Sequence, residues 1–516
     1  MSTIGPPSSL PPSPAASPAP AAAPTVDRAV EAGRGALFIG AAKVFFMLSG
    51  FVQQVFLARL ISVAAYGAFG AVNSTISIVN NTVVQFTVQG VSKFTAEDDR
   101  HAEAVKRSGL QIMAVVGVVL CAAFFLGAPL FAAFENAPSY VPYYRIAAFI
   151  PMLYSVYAVF IGSVNGKRQF RTQAGFDMTF STAKTILLLG LAAVAGVKGA
   201  FGGFALAALF IVFVAARVVG LPRGDRDVNF PIGRFVTFLG TIFGYNLFLN
   251  AELLYDQPLL HHFAAMVDAE QGKIIAGHYA ALRTLALLPY QALLVVTFVI
   301  FPLVSRATFA EDREATRAYI TQTLRYALLL ATAMGVALGA RPAALIAILF
   351  PPAYAEGAAA LPILVVGECC LALLSVSCAI LNAAGRATAS LVLMALTVAI
   401  GIGTAFVLVP GSALGPDMLR AAAIAASTGM VAGFVGALIY VRVTLGGSAP
   451  LASVARIAAA AAAAVAVGHF IPVHGKVLGL AVTILVVLIY TAALVLLGEF
   501  GPADRAKFRR VLRRGQ

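Results

Sequence analysis

Charge is the scarcest property of this 516-residue sequence. Only 11% of the residues are charged, whereas 60% are hydrophobic. Soluble domains carry about 25% charged residues, so water is excluded as the solvent for most of this surface. Tryptophan is absent, which leaves Tyr and Phe to supply any interfacial belt. Cysteine is limited to Cys121, Cys369, Cys370 and Cys378, all inside apolar runs. They read as small hydrophobes, with no disulfide or metal spacing. Acidic residues number 22 against 36 Lys and Arg, a formal net charge of +14. In a soluble protein that excess would suggest nucleic acid. Here the basic residues lie in short loops between apolar runs, and nucleic acid is not an expected partner. Residues 1–24 hold Pro, Ala and Ser without a basic start or an apolar stretch, so they do not read as a signal peptide.

What is abundant is long apolar runs, and the mean hydropathy is +0.90. A bilayer accepts such surface but requires every backbone polar group to be satisfied internally, which leaves helices or closed barrels. A spanning helix takes roughly 20 apolar residues. The runs here have that length and do not alternate, so the sequence predicts an all-α membrane protein of about 14 transmembrane helices. Six runs fall near 35–60, 66–91, 109–133, 141–165, 173–196 and 199–220. Six more fall near 233–260, 276–304, 323–349, 357–383, 388–409 and 419–441, and a last pair near 452–472 and 476–498. The organisation expected is a disordered cytoplasmic tail (1–33), two six-helix lobes (34–222 and 223–445), two extra helices (446–500) and a basic cytoplasmic tail (501–516).

With the N-terminus in the cytoplasm, roughly 26 of the 36 Lys and Arg fall on inner segments and roughly 7 on outer loops. Both termini are therefore expected in the cytoplasm. Polar segments also repeat. "VSKFTAEDDR" from Val91 matches "VSRATFAEDR" from Val304, and Tyr66 and Ala68 match Tyr279 and Ala281 at the same offset. Two parallel halves with a substrate site between them follow from such a repeat, an arrangement common among transporters.

The second run is unusually polar. Asn73, Ser77, Asn81, Gln85 and Gln89 recur every four residues and share one helical face. That face is expected to line a hydrated lumen. Val72, Ile76, Val79, Val83 and Phe86 lie opposite, on the side expected to meet lipid. Ionisable residues within apolar runs are functional candidates, because an isolated charge at bilayer depth is costly. Lys43, Lys184 and Arg283 could hold an anionic head group such as a diphosphate, with pairing of Arg283 to Glu252 as the purely structural reading. Glu252 and Asp256 share a face of the seventh run. Glu252 is the first candidate for coupling transport to H+ or Na+ and Asp256 the second, with plain solvation as the alternative for Asp256, nearer the outer end. Glu368 lies in the tenth run. Asp177 reads as snorkelling to the interface. The adjacent His261 and His262 point about 100° apart on a helix. They would not chelate one metal together, and an interfacial position fits them. No phosphate-binding loop, metal cluster or nucleophile elbow appears, so neither an enzyme nor a cofactor is expected.

Three segments carry a family resemblance: "ARLISVAAYGAFG" (Ala58–Gly70), "FPLVSR" (Phe301–Arg306) and "ILNAAGRA" (Ile380–Ala387). In order and spacing they resemble the polysaccharide-type flippases, O-antigen flippases among them. These belong to the multidrug/oligosaccharidyl-lipid/polysaccharide exporter superfamily. The resemblance covers about residues 34–445. It implies two six-helix lobes around a cationic cavity, working by alternating access and an ion gradient in a bacterial inner membrane. The implied substrate is a polyprenyl-diphosphate-linked oligosaccharide, moved to the outer leaflet for surface polysaccharide or lipopolysaccharide synthesis. The usual seventh-helix acid of that family appears here as Glu252 rather than Asp. The alternatives are a cation-coupled drug or metabolite exporter and a lipid II flippase, though the Arg-rich early helices of the latter are missing. A membrane glycosyltransferase would need a sizeable outer loop, and the loops here are short.

Overall fold

The computed structural model describes residues 26–223, 231–310, 312–471 and 475–501. Most of the N-terminal tail and nearly all of the basic C-terminal tail expected from the sequence lie outside them, as do the side chains of Phe301, Pro302, Leu303 and Arg306. The first lobe comprises α1 (Val26–Leu60), α2 (Val63–Glu97), α3 (Ala102–Leu126), α4 (Ala128–Phe134), α5 (Val141–Ala147), α6 (Phe149–Gly166) and α7 (Phe170–Val219). The second comprises α8 (Ile232–Glu252), α9 (Asp256–Val267), α10 (Ala269–Ala286), α11 (Leu288–Phe309), α12 (Arg313–Gly339), α13 (Pro342–Leu349), α14 (Leu361–Ala383), α15 (Ala387–Leu408) and α16 (Pro416–Leu445). A final pair, α17 (Leu451–Phe470) and α18 (Lys476–Leu496), packs on α12.

Among the described residues, ten helices are long and apolar enough to cross a membrane, or eleven when the bent pair α12–α13 is one span. The chain is an all-helical, multi-pass membrane protein. Each of the fourteen apolar runs coincides with a helix or a broken helix. The breaks have local causes. Gly196, at φ +56°, splits α7 into two antiparallel arms. Gly199 and Gly203 on the second arm touch the carbonyl oxygens of Leu191 and Leu187 on the first, a fit that a side chain would block. The α10–α11 break falls just before Pro289, whose ring cannot continue the hydrogen-bond ladder. Side-chain caps start other helices. Ser62 Oγ accepts from Ala65 N at 3.2 Å at the head of α2, and Asp268 Oδ1 accepts from Glu270 N and Gln271 N at 2.8 and 2.9 Å at the head of α10. Each such cap is worth about 1 kcal/mol.

The apolar face of α2 corrects the sequence reading. Val72, Ile76, Val83 and Phe86 are buried in protein, not turned to lipid. The helix lies along α6, where Gly162 touches Val91 and Gly166 touches Thr95. Small residues let the two backbones approach closely, which is how helices associate when lipid offers no hydrophobic driving force.

Candidate functional site

Helix α2 joins the lobes at both of its ends. Near its start it packs on α10. A Cβ at Gly67 would strike the Lys273 carbonyl oxygen and the Gly277 backbone nitrogen. Tyr66 stands edge-on to Tyr354, with ring centroids 6.0 Å apart, and the Tyr354 hydroxyl donates to Ala58 O at 3.3 Å. Elsewhere between the lobes, Glu135 of the first and His261 of the second are both buried, with Oε2 and Nδ1 3.8 Å apart. The Glu135 carboxylate accepts from the Tyr144 hydroxyl at 2.6 Å and from Thr75 at 3.2 Å.

Near its far end α2 packs on α8. Phe94 meets Phe235 and Phe238 edge-on at 5.3 and 5.9 Å. Lys93 Nζ lies 3.8 Å from the Phe238 ring centroid, and Arg234 pairs with Glu97 at 3.2 Å. Between the two seals lies a cavity of about 210 Å³, lined by α1, α2, α9, α10 and α11. Its polar wall includes Gln54, Asn73, Ser74, Gln257, Arg283 and Gln291.

Arg283 is only 3% exposed and pairs with Asp256. Its Nη2 also lies 3.8 Å from Glu368 Oε1. The Tyr279 hydroxyl donates to Asp256 Oδ2 at 2.8 Å. Asp256 is therefore a buried ion-pair partner and not a solvated group, because the break between α8 and α9 turns it inward. Arg283 takes its partners from α9 and α14, not the expected Glu252. Both carboxylate oxygens of Glu252 are buried without a hydrogen bond among the described residues, and so are those of Glu368. Arg283 needs its partners, since an unpaired buried charge costs several kcal/mol.

The other candidates are dispersed. Lys43 Nζ pairs with Asp177 Oδ2 at 2.9 Å and is 44% exposed. Asp177 thus serves Lys43 instead of snorkelling alone. Lys184 lies 4.0 Å from the Phe204 ring centroid. Asn73 reaches the cavity, while Ser77, Asn81 and Gln85 continue the same helix half-exposed beyond it. His261 is fully buried, with Nε2 3.0 Å from the Tyr140 hydroxyl. His262 stacks on Phe134 at 4.6 Å. Sequence reasoning missed Gln54, Gln257 and Gln291. The signal was an amide inside each apolar run, but no periodicity set those three apart.

The sequence profile of a family described as "polysaccharide biosynthesis protein" matches residues 56–358. Among solved structures the chain is similar to the lipid II flippase MurJ in an inward closed conformation, with a TM-score of 0.71 at 14% identity, covering 88% of this chain and 98% of that one. It is also similar to a multidrug resistance MATE family transporter. The inward-facing form gives a TM-score of 0.64 at 16% identity, covering 80% of this chain and 98% of that one. The outward-facing form gives 0.61 at 16% identity, covering 80% and 96%. At these identities the likeness is one of fold. No curated protein matches the sequence.

Proposed function

The chain belongs to the polysaccharide biosynthesis protein family, and on that premise we propose that it is a flippase for polyprenyl-diphosphate-linked oligosaccharides. The observation that carries this reading is a cavity between the two lobes with amides and hydroxyls on its wall. Sugar hydroxyls both donate and accept, and so do the amides of Gln54, Asn73, Gln257 and Gln291. The excess of Lys and Arg on one set of loops supports cytoplasmic termini in a bacterial inner membrane. On that orientation the α2–α10 seal is the outer gate and the α2–α8 seal the inner one. Lys43 and Lys184 would draw the diphosphate, and the lipid tail would stay in the bilayer.

Energy would come from an ion gradient. Glu252, whose oxygens have no hydrogen-bond partner among the described residues, would exchange H+ or hold Na+ beside Asp256 and Glu368. The fold likeness to MATE transporters also admits a drug exporter. A wall that mixes amides and hydroxyls with Phe51, Phe69, Leu254 and Leu287, around a paired arginine, suits a glycan, whose rings present both apolar faces and hydroxyl edges. The test is genetic. A host lacking the gene should lose surface polysaccharide and accumulate its lipid-linked precursor on the inner leaflet. Normal surface polysaccharide together with drug sensitivity would instead identify an exporter.

A further inference from the structure

Arg283 is the single charged residue among the described residues lining the cavity. Its charge is balanced within the protein by Asp256 directly and by Glu368 at 3.8 Å, while Nη2 has no hydrogen-bond partner among the described residues. Glu252 lies four residues before Asp256, across the α8–α9 break, with both oxygens buried and unpaired among the described residues. Once Arg283 and Asp256 cancel, the carboxyls of Glu252 and Glu368 can only add negative charge. The chamber is therefore neutral or anionic and offers no free cation to an incoming carboxylate.

The wall points the same way. Gln54, Asn73, Ser74, Gln257, Thr284 and Gln291 line the cavity, so its polar wall carries both donors and acceptors. A hydroxyl or acetamido group matches both; an ionised carboxylate only accepts. The diphosphate does not need this chamber. Lys43 shares a helical stripe with Gly50 and Gln54, which line the cavity, and stands about 16 Å along α1 from Gln54. Carrier phosphate and glycan are thus handled at different depths.

From this we infer that the central cavity selects oligosaccharides free of acidic sugars, with Asp256 and Glu368 enforcing the choice by occupying Arg283. The inference rests on the flippase reading. Its test uses the full chain in proteoliposomes and two synthetic polyprenyl-diphosphate oligosaccharides of equal length. One is built of hexose and N-acetylhexosamine; the other carries a single uronic acid. The wild type should flip the neutral glycan at least roughly tenfold faster. Asp256→Asn and Glu368→Gln should each shrink that ratio, whatever they do to the absolute rate. Equal rates for both glycans in the wild type would overturn the inference and leave the flippase reading intact. A neutral preference that neither variant alters would refute the assignment to these two carboxylates. If folded protein flips neither glycan, the flippase reading fails and the inference falls with it.

Discussion

Arg59 of the first lobe donates from Nη2 to the main-chain oxygen of Leu349 in the second at 2.9 Å. Two further bonds reach Leu349 O and Ile348 O, each at 3.1 Å. The guanidinium thereby caps the end of α13, where the carbonyls of a helix are left unpaired and its dipole is negative. Arg59 is the arginine of the first family-like segment, so one side chain of that motif ties the lobes together beside the α2–α10 seal.

Removing this tie should loosen that end of the bundle. In Arg59→Ala, a cysteine placed at Gln54 in a background without native cysteines should react faster with a water-soluble maleimide applied from the Arg59 side. Arg59→Lys should show most of the same increase, because an ammonium cannot reproduce the forked geometry. Unchanged labelling in Arg59→Ala would mean that the glycine contacts of α2 hold the seal without it.

The Arg283–Asp256 pair separates stability from transport. Arg283→Ala strands a buried carboxylate and should cost about 3–5 kcal/mol of stability. The double change Arg283→Met with Asp256→Asn removes both charges and should recover most of the thermal midpoint in detergent. Transport should stay impaired in the double variant. Recovery of both would make the pair purely structural.

Glu252→Gln should abolish the dependence of transport on an imposed ion gradient and leave slow downhill flipping in place. The measurement is flipping in proteoliposomes with and without that gradient. A gradient response equal to wild type would move the coupling role to Glu368.

Much of this architecture was legible in the residues. Apolar runs located every spanning element, because lipid forces helices of a set length. Of the polar stripe on α2 that suggested a lumen, Asn73 lines the cavity, and Ser77, Asn81 and Gln85 are not among its lining residues. Partner choice was not legible. Sequence spacing placed Glu252 and Asp256 on one face, but the break at residues 253–255 gives Arg283 to Asp256 and leaves Glu252 unpaired. Likewise Val72 and Ile76 look lipid-facing by composition alone. Only the packing of neighbouring helices shows that this face of α2 is buried in protein.

The central claim is that glycan passes between lobes that must separate at the α2–α10 seal. A Cβ at Gly70 would lie 3.3 Å from the Ala280 Cβ, and its tightest neighbour is the movable end of Gln257. The most direct measurement is therefore flipping of a neutral lipid-linked oligosaccharide by Gly70→Cys/Ala280→Cys protein lacking native cysteines, oxidised and then reduced. Oxidation should stop flipping and reduction should restore it. Equal rates in the two states, with the cross-link verified, would contradict the account.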